Sequence, residues 1–301
     1  MKMVRLKDIP LYLVYQTLSV LFFLLPRPWC LCLGRALGRL AFHLDAKHRR
    51  LALSNLRLAL GSTSPPAERY RIARSSFAHF GQVMADLLKW PFLPDRLRQE
   101  LIHLEGQEYL RRALQAGRGA LIFTGHFGNW EVGSLPVSRM ARLNVIAREL
   151  DNKLVERRLL RLRRSLGASV IYKNQAARRV LQVLRRNEIT AILIDQNVLR
   201  REGVFVDFFG RPASTTPALA AFHLRTGAPL LPLFCTTAPG GSYRVRLDPP
   251  LVFRPSGRHS ADVLKITQLC TRIIENQVRE NPRLWLWFHD RWRSRPAEDH
   301  G

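Results

Sequence analysis

The chain is expected to fold as an α/β protein, a layered mixed sheet flanked by helices, with an N-terminal hydrophobic membrane-attachment helix in front of it. Three observations predict this. Beyond residue 90, short β-rich runs alternate with helix-like stretches, the rhythm of a layered sheet. Between two of those runs, Val155, Leu159, Leu162 and Leu166 recur at helical spacing while Arg157, Arg158, Arg161, Arg163 and Arg164 fill the remaining surface. From Leu11 to Leu25 there is no charge, with Lys2, Arg5 and Lys7 before the run and Pro26-Arg27-Pro28 after it.

That first run falls short of the roughly 20 apolar residues a bilayer span usually needs. Pro26 to Trp29 stand where a cleaved signal peptide would need small residues, so the segment is read as retained. Trp29 to Leu44 is apolar again, with Arg35 and Arg39 on one side, as in an interfacial or a core helix. Residues 1–44 are therefore taken as a membrane anchor and interfacial helix, a buried helical hairpin being the alternative, and residues 45–301 as the main domain. Residues 45–90 read as helical, with Ser64-Pro65 as a cap and first-turn proline ahead of a long helix ending near Trp90-Pro91. Strands are expected at 119–125 (GALIFTG), 144–147, 169–172, 189–195 (ITAILID), 204–209, 228–237 and 242–250, and a closing helix from Ala261 to Glu280.

The chain has 301 residues, and 48 Lys and Arg against 23 Asp and Glu give a formal charge of +25, so the natural partners are polyanions: nucleic acid, anionic lipid headgroups or acidic proteins. Cys30, Cys32, Cys235 and Cys270 lack the paired spacing of a zinc site or disulfide framework and are read as buried thiols. No set of metal ligands emerges, and no metal is expected.

Chemistry concentrates at GALIFTGHFGNWEVGS, where His126 lies in a Gly-rich turn after a strand and Glu131 follows where a helix can begin. Residues five apart on one helix point roughly 140° apart, so the two meet only if His126 lies in the preceding turn. Gly125 and Gly128 permit such a turn. A carboxylate that accepts the proton of one imidazole nitrogen fixes the tautomer and leaves the other nitrogen as a base. The plainer reading makes His126 a cap and Glu131 a dipole partner. Backbone amides of Gly128 and Asn129 are candidate oxyanion donors at the helix start. Arg148, after a strand, suits phosphate or oxyanion binding, or an ordinary surface ion pair. Asp195 closes a strand and serves either a basic partner or a structural turn. Phe205, Phe208 and Phe209 line an acyl groove or simply fill core, and Trp285, Trp287 and Trp292 beside Arg291, Arg293 and Arg295 admit an interfacial or a core role.

HFGNWE resembles the signature of the bacterial lipid A biosynthesis acyltransferases, lauroyl- or myristoyl-transferring enzymes within the lysophospholipid acyltransferase superfamily. Arg148 in VIARELDN, LIDQN at 193–197, VFVDFFGRPASTTPALA at 204–220 and NPRLWLWFHDRWRSRP at 281–296 are similar to that family's later stations, in order, so that the likeness runs from about residue 10 to 296. Asp207 departs from the less polar residue common there.

The resemblance implies an acyltransferase with His126 as general base, Glu131 as its orienting partner, and Arg148 and Asp195 in support. It implies transfer from an acyl carrier protein thioester, the donor substrate and no cofactor, to a hydroxyl of a Kdo-bearing lipid A precursor in lipopolysaccharide biosynthesis at the inner membrane, and a body this basic is placed on the anionic cytoplasmic face. The partners are then acyl carrier protein, an anionic glycolipid and the membrane surface, with no nucleic acid. The alternatives are a lysophospholipid or other glycolipid as acceptor, or, from another class, a noncatalytic basic nucleic-acid-binding protein.

Overall fold

The computed structural model describes residues 9–296 and opens with four helices; Lys2, Arg5 and Lys7 of the basic amino-terminal flank lie outside that range. These are α1 (Ile9–Leu24), α2 (Arg27–Leu44), α3 (Ala46–Leu60) and α4 (Pro66–Lys89). Proline punctuates them: Pro26 breaks α1 from α2, and Pro65-Pro66 opens α4 where a missing N–H costs nothing. The Asp45 side chain accepts the His48 backbone N–H at 3.0 Å and caps α3.

Helix α2, placed by its sequence within 1–44, packs along α4 of the 45–301 segment. Glycine makes the approach possible. A Cβ at Gly81 would collide with the carbonyl oxygen of Gly34, and one at Gly38 with that of Phe77. Along α1, by contrast, Leu11, Leu13, Val14, Val20, Phe23 and Leu24 are exposed. Among the described residues, no helix is long and apolar enough to cross a membrane.

The body continues with α5 (Asp95–Glu100), β1 (Ile102–Glu105), α6 (Gln107–Gln115), β2 (Ala120–Thr124), α7 (Trp130–Ser138), β3 (Leu143–Ala147), α8 (Lys153–Ser165), β4 (Ala168–Tyr172), α9 (Ala176–Arg185), β5 (Ile189–Leu193), β6 (Val204–Phe208), β7 (Arg211–Thr215), α10 (Ala218–Thr226), β8 (Leu230–Thr237), β9 (Tyr243–Leu247) and α11 (His259–Glu280). The strand order is β1-β9-β8-β2-β5-β3-β4 in a 7-stranded sheet. All neighbours run parallel except the antiparallel pair β8 and β9, so the sheet is mixed, as expected. The expected strands are all present. Missing from the sequence reading were the short edge strand β1 and β7, which forms an antiparallel hairpin with β6.

Strand β2 is central and wholly buried. Its alternation sends Leu121 and Phe123 into one apolar cluster, with α9, α10 and α11, and Ala120 and Ile122 into another, with α6 and α7. The sheet is thus covered on both faces, which leaves the strand ends as the place where polar side chains can gather. The thiols divide as well: Cys30, Cys235 and Cys270 are buried, but Cys32, on the outer side of α2, is exposed.

Candidate active site

Parallel neighbours end on the same edge of a sheet, and β2 and β5 are parallel neighbours. His126 lies two residues beyond the end of β2 and Asp195 two residues beyond the end of β5, so the strand order brings them together. The His126 ring Nδ1 lies 2.8 Å from Asp195 Oδ1, and the His126 backbone N–H donates to Asp195 Oδ2 at 2.6 Å. A third donor, the Trp285 indole, reaches the same Oδ2 at 2.7 Å. Burial pushes the Asp195 carboxyl up, but the nearby His126 and these three donors outweigh it and hold its pKa below the ordinary value. An anionic Asp195 accepts the Nδ1 proton and leaves Nε2 of His126 as the basic nitrogen. The ring is open enough to be reached, with 20% of its side chain exposed against 2% for Asp195.

The turn itself is fixed from both sides. The Gly128 N–H donates to Leu284 O at 2.9 Å and the Leu286 N–H to His126 O at 3.1 Å, a short antiparallel bridge between the turn and the closing segment. The Asn129 N–H donates to Cys235 O at 3.1 Å, and the Asn129 side chain accepts from the Val132 N–H at 3.3 Å to cap α7. Gly128 has φ +61, and a Cβ there would strike the Cys235 carbonyl; at Gly125 it would lie 2.9 Å from Asp195 Oδ2. Both glycines of the motif are therefore steric requirements of the His126 turn.

Glu131 does not orient His126. Although the histidine does lie in the preceding turn, Glu131 is buried against α8, where Arg163 grips it with Nε at 3.0 Å from Oε2 and Nη2 at 2.6 Å from Oε1. The reason is geometric: Glu131 is the second residue of α7, beyond the His126 turn, and its side chain faces α8, while the end of β5 delivers a carboxylate directly beside the imidazole. Burial would lower the Arg163 pKa, but Glu131 and Glu156 raise it above its ordinary value, and the ion pair clamps α7 to α8.

Other expectations are corrected in the same way. The amides of Gly128 and Asn129 are already donated to carbonyls and are not oxyanion donors. Arg148 follows β3, one strand beyond β5 on the same edge, with its side chain 74% exposed and paired to Asp151 at 3.4 Å. Phe208 and Phe209 are buried among Trp285, Trp287 and Trp292, as core rather than groove, while Phe205 is half-buried. Arg291 is buried too: its guanidinium donates to Ser214 O at 2.7 Å and to the Thr215 hydroxyl, and burial lowers its pKa to about 10. Asp207, the departure from the family pattern, is exposed and accepts the Gly210 N–H at 3.0 Å, closing the β6–β7 turn. Among the described residues, no group of three or more His, Cys, Asp or Glu is gathered as for a metal ion.

One histidine to which the sequence assigned no chemistry also touches the turn. His79 on α4 is buried beside the Gly128 backbone, and its Nε2 has no hydrogen-bond partner. Burial first, then the charges of Arg283 and Arg35, lower its pKa to about 4.

A family model described as bacterial lipid A biosynthesis acyltransferase matches residues 3–294. A phosphatidylinositol mannoside acyltransferase of Mycobacterium tuberculosis (strain ATCC 25618 / H37Rv) is 29% identical over 245 residues, 79% of this chain and 75% of that protein. The lipid A biosynthesis palmitoleoyltransferase of Escherichia coli (strain K12) is 25% identical over 276 residues, 91% of this chain and 88% of the relative. The lipid A biosynthesis lauroyltransferase of the same organism is 24% identical over 290 residues, 95% and 92% of the two chains.

Two outcomes follow from this geometry. Glu131→Ala leaves the Arg163 charge buried and unpaired and is expected to cost about 3 kcal/mol in denaturant unfolding, whereas Glu131→Gln combined with Arg163→Met costs clearly less. A double variant no more stable than Glu131→Ala would contradict the clamp. His79 is neutral when folded below the pH at which it charges when unfolded. Because the unfolded chain binds the extra proton between about pH 6.5 and 4, stability falls across that window as pH drops, by up to about 3 kcal/mol from this group. A folded His79→Gln protein should show a flatter stability curve there; an unchanged slope would refute the assignment.

Proposed function

Since the chain belongs to the bacterial lipid A biosynthesis acyltransferase family, and is an acyltransferase, we propose that it moves a fatty acyl chain from an acyl carrier protein thioester to a hydroxyl of an anionic, Kdo-bearing lipid A precursor, with His126 as base. The observation that carries the chemistry is the 2.8 Å contact between His126 Nδ1 and a buried Asp195 held by further donors. Nε2 takes the proton of the acceptor hydroxyl as its oxygen attacks the thioester carbonyl. Collapse of the tetrahedral adduct breaks the C–S bond, and the proton passes from His126 to the departing thiolate. Asp195 fixes the tautomer and stabilises the imidazolium between those transfers. No covalent acyl-enzyme is needed.

The charge of +25 fits both substrates, since a phosphorylated glycolipid and acyl carrier protein are each acidic. The exposed apolar residues of α1, continued by Trp29, Leu40 and Leu44 of α2, support attachment to the bilayer surface, helix lying in the interface, on the cytoplasmic side where anionic headgroups meet a cationic body. Catalytic family membership displaces the nucleic-acid reading. A second acceptor is favoured by one observation: the relative at 29% identity is named for phosphatidylinositol mannoside, so a mannosylated lipid is the rival.

Purified protein given acyl carrier protein thioester and equal amounts of Kdo-bearing lipid A precursor, phosphatidylinositol mannoside and a lysophospholipid should acylate the first, as read by product mass. Acylation of the mannoside instead selects the rival. Folded His126→Ala and Asp195→Asn proteins should each lose about 10²- to 10⁴-fold in kcat. Wild-type turnover in either variant would remove the assigned base or its partner.

A further inference from the structure

Arg27 stands in the first turn of α2, immediately after the break from α1, yet its side chain is buried. Its Nε and Nη2 grip both oxygens of Asp86 on α4, at 2.7 and 2.8 Å, and Nη2 also donates to Gly241 O at 2.7 Å. Asp86 has no exposure at all and accepts a further bond, 2.5 Å, from the Tyr243 hydroxyl at the start of β9. The same hydroxyl accepts from Asn129 Nδ2 at 2.9 Å. Asn129 is the residue that caps α7 and ends the His126 turn. Beside this chain, Lys89 Nζ donates to Phe23 O at 3.0 Å, so the end of α1 is held from the same stretch of α4.

Every link is a buried group whose partner is the next link. Burial first, then the charge of Asp86, raises the Tyr243 pKa well above its ordinary value, so the phenol stays protonated and donates in one direction only. The Arg27 pKa is likewise raised, the attraction of Asp86 outweighing burial. A low-dielectric chain of this kind has few alternative arrangements, because moving one member strands the next without a partner. Displacing α2 from α4 therefore cannot leave Asn129 undisturbed, and Asn129 sets both the first turn of α7 and the exit of the loop that presents His126.

We infer that Tyr243 is a positioning residue for acyl transfer, the middle of a buried Arg27–Asp86–Tyr243–Asn129 chain through which the seating of helix α2 on α4 is felt at the His126 turn. The catalytic consequence rests on the reading of His126 as base. The structural coupling does not.

The test uses the full chain in detergent micelles, with Tyr243→Phe and, should that protein not fold, Arg27→Lys, whose ammonium cannot span both Asp86 oxygens. Hydrogen exchange read by mass spectrometry should rise by about fivefold or more over residues 126–133 while β2 stays within about twofold of wild type. In the transfer assay, kcat should fall by about tenfold with KM within about twofold, as expected of a misplaced base rather than a lost substrate contact. Exchange at 126–133 unchanged in the folded variant overturns the coupling. Raised exchange with wild-type kcat overturns its catalytic consequence. A wild-type protein without transfer activity would sink the functional reading instead, and the exchange result would still decide the coupling.

Discussion

A carboxylate removed from water has to be met by donors, and the arrangement around Asp195 meets that demand with three donors from two distant parts of the chain. The imidazole and backbone N–H of His126 come from the loop after β2, and the indole of Trp285 comes from the closing segment beyond α11. None of the three can leave without stranding a buried charge, a penalty of several kcal/mol in a protein interior. The rest of the edge is organised around that constraint. Trp285 is anchored through its carbonyl, which accepts the Ser76 hydroxyl of α4 at 2.7 Å, and the Asn55 amide of α3 holds the carbonyls of Trp287 and His289, each at 2.7 Å.

The helical N-terminal part is consequently not a passive attachment. α3 and α4 hold the closing segment, α4 places His79 against Gly128, and α2 reaches Asn129 through Asp86 and Tyr243. On the other flank, the Arg163–Glu131 pair ties α7 to the arginine-rich helix α8. The exposed apolar residues lie on α1 and α2, which pack on α4 and are linked to the His126 turn at one remove, through Asp86 and Tyr243.

The layered sheet was legible because hydrophobic alternation and strand length are local properties: ITAILID and GALIFTG announce buried strands without any tertiary knowledge. The position of His126 was legible too, since HFGNWE puts a histidine among glycines at a strand end. Its partner was not. Glu131 is the near carboxylate in sequence, but nearness along the chain says little once strand order is unknown, and β5 inserts beside β2 only because β3 and β4 lie further out. The signal that was available is that Asp195 ends a β-rich run just as His126 does, the pattern expected of residues that converge at one edge of a parallel sheet. Short IHLE at β1 gave too little periodicity to see, and the aromatic pairs at 208–209 and 285–292 were undecidable because core and groove use the same residues. Tyr243, Asp86 and Arg27 are scattered along the chain and carry no motif.

The most direct measurement is the ring N–H spectrum of His126 in protein labelled with ¹⁵N-histidine. The Asp195 pairing requires a strongly deshielded Nδ1–H resonance that disappears in Asp195→Asn and survives in folded Glu131→Gln. A resonance that survives Asp195→Asn and is lost on Glu131→Gln would contradict the pairing on which the mechanism stands.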